Sequence, residues 1–142
     1  MIRVFFDASV IFSAIYSNTG GSYKLLTLLR KRKITGITSQ NVIEELERNL
    51  NKLKSFNLKK LYKFIKDNNL IVCQQITTKE IKPLLPKINI KDAHVAAGAL
   101  LTKCHYLVTL DKIHLNNRQV KKNITKTKIV SPRKLLQELL KI

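Results

Sequence analysis

The sequence predicts an α/β fold: a three-layer α/β/α sandwich around a central, mostly parallel sheet of four to five strands. Three observations predict it. Short apolar runs of strand length alternate with stretches of helical period, the pattern of parallel strands joined by crossover helices. The strand-like runs are apolar throughout, so both faces of the sheet are expected to be covered. A chain of 142 residues, 44% of them hydrophobic, suits one core, and residues 1–142 read as a single domain without repeats or low-complexity linkers.

The elements follow in order. Ile2–Phe6 is an apolar strand that ends at Asp7. A helix from about Ala8 to Tyr16 follows, and Ser17, Asn18, Thr19, Gly20 and Gly21 make a turn. Ser22–Arg32 places Leu25, Leu26, Leu28 and Leu29 at helical spacing. It ends on Arg30, Lys31, Arg32 and Lys33, cations suited to the negative pole of a helix. Ile34–Thr38 is the second strand. Ser39 caps the next helix, which runs to about Leu53 with Val42, Ile43, Leu46, Leu50 and Leu53 on one face. Leu58–Asn68 is a basic amphipathic helix and Leu70–Cys73 a third strand. Thr77–Leu85 is a helix before a loop marked by Pro83 and Pro86. Lys91–Thr102 is apolar almost all round and should be buried. Tyr106–Thr109 and Lys128–Val130 are strands, and Pro132 opens a last helix to Leu140.

Charge narrows the function. Lys and Arg number 27 against 9 Asp and Glu, a net charge of +18, which makes a polyanion the expected partner because each neutralised phosphate releases condensed counterions. A merely solvated basic surface is the bland alternative. The runs Arg30–Lys33, Lys59–Lys66 and Lys121–Lys128 are candidate RNA tracks. Cys73 and Cys104 lack CxxC partners, so there is no zinc signature and no disulfide framework; each reads as a buried apolar thiol. The apolar N-terminus is interrupted by Asp7 and too short to span a membrane, so a soluble cytoplasmic protein is expected. Phosphate-loop and dinucleotide fingerprints are absent.

The acids point to chemistry. Asp7, Asp92 and Asp111 each border a strongly apolar segment. Strand ends of an open parallel sheet gather at one edge, and ligands bind outside their carboxyl ends. Asp7 and Asp111 would project there, with Asp92 presented at the start of the buried helix. Glu45 and Glu47 both flank the apolar stripe of their helix, and periodicity alone does not choose between them. Taken singly, Asp92 reads equally as a helix-start acid, Asp111 as a turn aspartate and Glu45 as a solvated helix acid. Asp7 has no local reason to follow Phe5 and Phe6. Clustered carboxylates repel one another, and a hard divalent cation, Mg²⁺ or Mn²⁺, relieves the conflict. Such a site in a basic protein fits phosphodiester hydrolysis.

FFDASVIFSAI, TSQNVIEELERNL, KDAHVAAGAL and YLVTLDKIHL stand in the order and spacing that resemble the PIN-domain nucleases. The resemblance extends to the closing IVSPRKLLQELL and is nearest to the small prokaryotic toxin components of toxin–antitoxin pairs. It implies a PIN-like fold and an endoribonuclease using Mg²⁺ or Mn²⁺ and water. It implies that Asp7, Glu45, Asp92 and Asp111 are the metal-binding catalytic acids, with Ser9 and Thr109 as supporting hydroxyls. It also implies an antitoxin partner and a homodimer. Lys112 is a candidate phosphate contact. His94 and His105 read as satisfied structural histidines, and His114 as a loop residue within reach of substrate. Two other readings compete: an RNA-binding module whose acidic cleft no longer turns over, and a DNA-directed nuclease of the wider superfamily.

Overall fold

The computed structural model describes residues 1–53 and 56–141. Among them, β1 (Arg3–Phe6), β2 (Thr35–Ser39), β3 (Ile71–Cys73), β4 (Tyr106–Val108) and β5 (Lys128–Val130) form one sheet in the order β3-β2-β1-β4-β5. Every neighbouring pair is parallel. The sheet is therefore wholly parallel and takes the upper end of the expected strand number.

The helices are α1 (Ala8–Tyr16), α2 (Gly21–Arg30), α3 (Gln40–Arg48), α4 (Leu58–Asp67), α5 (Thr78–Ile81), α6 (Ile90–Leu101), α7 (Arg118–Asn123) and α8 (Pro132–Leu140). Right-handed crossovers dictate their layers. The chain steps from β1 to β2 to β3 in one direction, which puts α1 to α4 on one face. It then returns past β1 to β4 and β5, which puts α5 to α7 on the other. α8 packs against α2 and joins the first layer.

Two glycines show how closely the layers sit. Val4 pairs with Gly36, so both point to the first face, and Phe5 pairs with Ile37 and Leu107 on the second. A Cβ on Gly36 would come within 2.5 Å of Leu29 of α2, and one on Gly98 of α6 within 2.6 Å of the Phe5 ring. Phe5, Leu29 and their neighbours Val10, Leu25, Ile37 and Leu107 are fully or almost fully buried.

Helix ends depart from the expected bounds for a backbone reason. Arg32, Asn69 and Lys103 adopt left-handed φ of 57°, 56° and 54°. Behind them Lys33 N–H donates to Leu28 O (2.9 Å), Leu70 N–H to Ile65 O (3.1 Å) and Cys104 N–H to Ala99 O (3.0 Å). These Schellman-type ends stop α2, α4 and α6 and turn the chain into β2, β3 and β4. α2 thus ends at Arg30, before Arg32.

The helix expected from Ser39 to Leu53 breaks at Asn49 into α3 and a 3₁₀ turn at Leu50–Lys52. Ser39 caps α3 as expected, accepting from Val42 N–H at 3.2 Å. Thr77–Leu85 likewise divides into α5 and a 3₁₀ turn at Lys82–Leu84, with Pro83 at its start. α7 had no counterpart in the sequence reading. It is capped by Asn117 (2.9 Å to Val120 N–H) and buries only Val120, too little for hydrophobic periodicity to register. Cys104 is buried as expected, but Cys73 is only half-buried, because β3 is an edge strand with exposed Ile71 and Val72. Among the described residues no helix is long and apolar enough to cross a membrane.

Gly98→Ala tests the contact between layers. Overpacking against Phe5 costs about 1–3 kcal/mol, against up to about 1 kcal/mol returned by alanine's helix propensity. Urea unfolding should show a net loss of about 1–2 kcal/mol.

Candidate active site at the carboxyl edge of the sheet

The strand order reverses direction between β1 and β4, and in open parallel sheets ligands bind outside the carboxyl ends at such a switch point. Asp7 directly follows β1 and Thr109 directly follows β4, so the two side chains stand next to each other there.

Asp7 is 6% exposed and anchors the edge. Its Oδ1 accepts from Ala8 N–H at 2.8 Å, which caps α1. Its Oδ2 accepts from the Ser9 hydroxyl at 2.9 Å and the Thr109 hydroxyl at 2.6 Å. Each hydroxyl accepts in turn from the loop beyond β4: Ser9 Oγ from Leu110 N–H (3.1 Å) and Thr109 Oγ1 from Asp111 N–H (3.0 Å). Burial pushes the Asp7 carboxyl above its ordinary range, and the bonds from Thr109, Ser9 and Ala8 only partly oppose that. The carboxyl group thus sits where solvation is poor and fixed donors replace it.

Asp111 is held by its own turn. Its Oδ1 accepts from Ile113 N–H (3.0 Å) and His114 N–H (2.9 Å), and His114 Nδ1 lies 3.2 Å from its Oδ2. Burial alone would raise the carboxyl, but the backbone N–H and ring of His114, with Ile113 N–H, outweigh it and hold Asp111 below its ordinary range. Asp111, Asp92 and His114 offer ligand atoms that all lie within 4.8 Å of one another.

Glu45 and Asp92 arrive from α3 and α6. Neither carboxylate has a hydrogen-bond or ion-pair partner among the described residues, although both are half-buried. Burial raises Glu45 first, and the charges of Asp7 and Asp92 raise it further against the pull of Arg48. Burial likewise raises Asp92, followed by the charges of Asp111 and Asp7. The four acids therefore share one electrostatic environment. Glu47, the other candidate on α3, turns away and accepts from the Tyr62 hydroxyl on α4.

The remaining candidates divide. His105 is structural, its Nδ1 accepting from Arg3 N–H at 3.0 Å. His94 was expected to be satisfied but is not: its Nδ1 is buried without a hydrogen-bond partner. Burial holds its pKa down against the attraction of Asp7, so the ring is neutral beside the acids. Lys112 is exposed, and no hydrogen bond or ion pair ties its side chain to the site among the described residues. His114 belongs with the acids, which sequence reading did not establish. The available signal was its position three residues after Asp111, the spacing at which an aspartate closes a turn on backbone N–H groups.

Two clefts meet at Glu45. One, of about 560 Å³, is lined by Ser9, Phe12, Tyr16, Glu45, Asn49 and Lys52 among others. The other, of about 370 Å³, includes Arg48, Gln75, Lys91 and His94.

A family model described as the PIN domain matches residues 3–113. The chain belongs to the PIN-domain family. Members of that family are nucleases, and the matched span carries Asp7, Glu45, Asp92 and Asp111. No curated protein matches the chain. Solved structures with the same fold include VapBC2 from Rickettsia felis bound to a DNA fragment from its promoter, 22% identical over 92% of this chain and 98% of that one, with a TM-score of 0.66. PAE2754 from Pyrobaculum aerophilum is 17% identical over 99% and 97%, with a TM-score of 0.62. FitAB bound to the IR36 DNA fragment is 13% identical over 91% and 94%, with a TM-score of 0.52.

Two outcomes are expected of this PIN domain. Thr109→Val removes a buried hydroxyl that bonds both Asp7 and Asp111, and should lower stability by about 1–3 kcal/mol in urea unfolding. Glu45 keeps its proton to a higher pH in the folded chain than its ordinary 4.5. Stability is therefore lost as pH rises from the ordinary value through the raised one. Glu45→Gln removes that loss: without metal it should melt roughly 3–4 °C higher at pH 7 for a gain of about 1 kcal/mol. At pH 4 thermal melts of the two proteins should coincide.

Proposed function

We propose that this PIN domain, residues 1–142, is a metal-dependent endoribonuclease that hydrolyses RNA phosphodiester bonds with water as nucleophile. The observation that carries the reading is the pair of half-buried carboxylates, Glu45 and Asp92, left without donors beside the buried Asp7. Unpaired carboxylates in poor solvent are costly unless a cation joins them. Their hard oxygens, with those of Asp7 and Asp111, fit Mg²⁺ or Mn²⁺. Bound there, the ion would supply Lewis acidity at a phosphoryl oxygen and lower the pKa of an attacking water.

The chain's own residues do the rest. Ser9 and Thr109 orient Asp7, and the Ile113 and His114 N–H groups orient Asp111. Lys112, exposed beside Asp111, would meet a backbone phosphate. The net charge of +18 gathers the polyanion. The protein acts in the cytoplasm as the toxin of a toxin–antitoxin pair, with an antitoxin and a second copy of itself as partners. The likeness to VapBC2 and FitAB, both seen as complexes on DNA, supports the antitoxin partner.

RNA cleavage with Mg²⁺ or Mn²⁺ should be abolished by EDTA, by Asp7→Asn and by Asp92→Asn. Cutting that survives both substitutions would place catalysis elsewhere. RNA binding without cleavage across varied substrates would identify a binding module, and cleavage of DNA alone would overturn the choice of RNA.

A further inference from the structure

We infer that the larger cleft beside Glu45 is a nucleobase subsite, which takes one unstacked base of a single-stranded RNA next to the phosphate at the acids. The inference rests on the ribonuclease reading above and specifies how that site grips its substrate.

The cleft reaches the acids through Glu45, and Ser9, whose hydroxyl bonds Asp7, also lines it. Its apolar lining includes Phe12 of α1 and Leu46 of α3. Tyr16, Asn49 and Lys52 complete its polar lining with Ser9, Ser13 and Glu45. Tyr16, the last residue of α1, is 75% exposed. Nothing in the core requires an aromatic ring there, and its hydroxyl has no hydrogen-bond partner among the described residues. Asn49 donates its Nδ2 to the Glu45 carbonyl at 2.8 Å, which leaves Oδ1 as an acceptor at the rim. Lys52 is exposed and adds a cation.

This combination suits a base better than a purely apolar segment. Single-stranded RNA is recognised by splaying bases onto aromatic faces while cations follow the backbone. A volume of about 560 Å³ falls in the range of ligand pockets, about 300–1,000 Å³. The smaller cleft on the other side of Glu45 offers Arg48, Lys91 and Gln75, and its one aromatic ring is the half-buried imidazole of His94. The two sides of the site therefore differ: one presents Arg48 and Lys91 for a phosphate, the other an apolar lining with the exposed ring of Tyr16 and a single cation, Lys52. A strand crossing the acids would be held asymmetrically, with base selection on the Tyr16 side.

The test uses the full chain, a fluorescein-labelled single-stranded RNA decamer with anisotropy read in EDTA, and cleavage of the same RNA in Mn²⁺. Tyr16→Ala should weaken binding about tenfold and raise KM more than it lowers kcat, the loss of one base stack. Tyr16→Phe should stay within about twofold of wild type, because stacking needs only the ring. The exposure of Tyr16 makes an unchanged melting temperature the expected control for both. If the wild type cuts RNA and Tyr16→Ala binds and cuts equally well, this subsite is overturned and the nuclease reading stands. Equal losses in Tyr16→Phe and Tyr16→Ala would mean a hydroxyl contact and overturn stacking. Tyr16→Ala that keeps RNA but loses a protein partner would assign the cleft to that protein. A wild type that neither binds nor cuts overturns both readings.

Discussion

One buried carboxylate organises the functional edge of this protein. Asp7 closes β1, caps α1 and accepts the hydroxyls of Ser9 and Thr109. Through those hydroxyls it reaches the N–H groups of Leu110 and Asp111 and so fixes the loop after β4. The two central strands end in a shared hydrogen-bond network. Without it Asp7 and Asp111 would stand on separate segments with no common frame.

Topology places the other acids within reach. In a wholly parallel sheet every strand-to-helix junction lies on the same edge, so α3 begins there at Gln40, capped by Ser39, and carries Glu45 on its second turn. α6 follows no strand directly, yet it returns beneath β1 and β4 and presents Asp92 in its first turn. The close seat of Gly98 on Phe5 sets how near that helix lies to the sheet. A packing contact in the core thus governs the placement of a carboxylate at the surface.

The site is held against its own electrostatics. Burial and neighbouring carboxylates raise the proton affinity of both Glu45 and Asp92, in a chain whose net charge is +18. Functional sites are where such locally unfavourable arrangements are retained. His94, neutral and with an orphaned Nδ1, belongs to the same pattern.

The amino-acid sequence by itself determined the order of strands and helices, the cap at Ser39, the helix start at Pro132, and the anomaly of Asp7 after an apolar strand. Those are local properties: period, propensity and a charge at the end of an apolar strand. It could not separate Glu45 from Glu47 by periodicity, because both flank one stripe; the arrival of Tyr62 from α4 takes Glu47 out of the site. Nor did it place His114 with Asp92, which depends on two segments distant in sequence meeting at one edge. It missed α7, whose stability comes from a cap and one buried valine, and it overran α2 because the left-handed turn at Arg32 leaves no mark in hydrophobic pattern. Periodicity reports which way a side chain faces within its own element. Which other element it meets, and what that does to its charge, is decided only when the layers close.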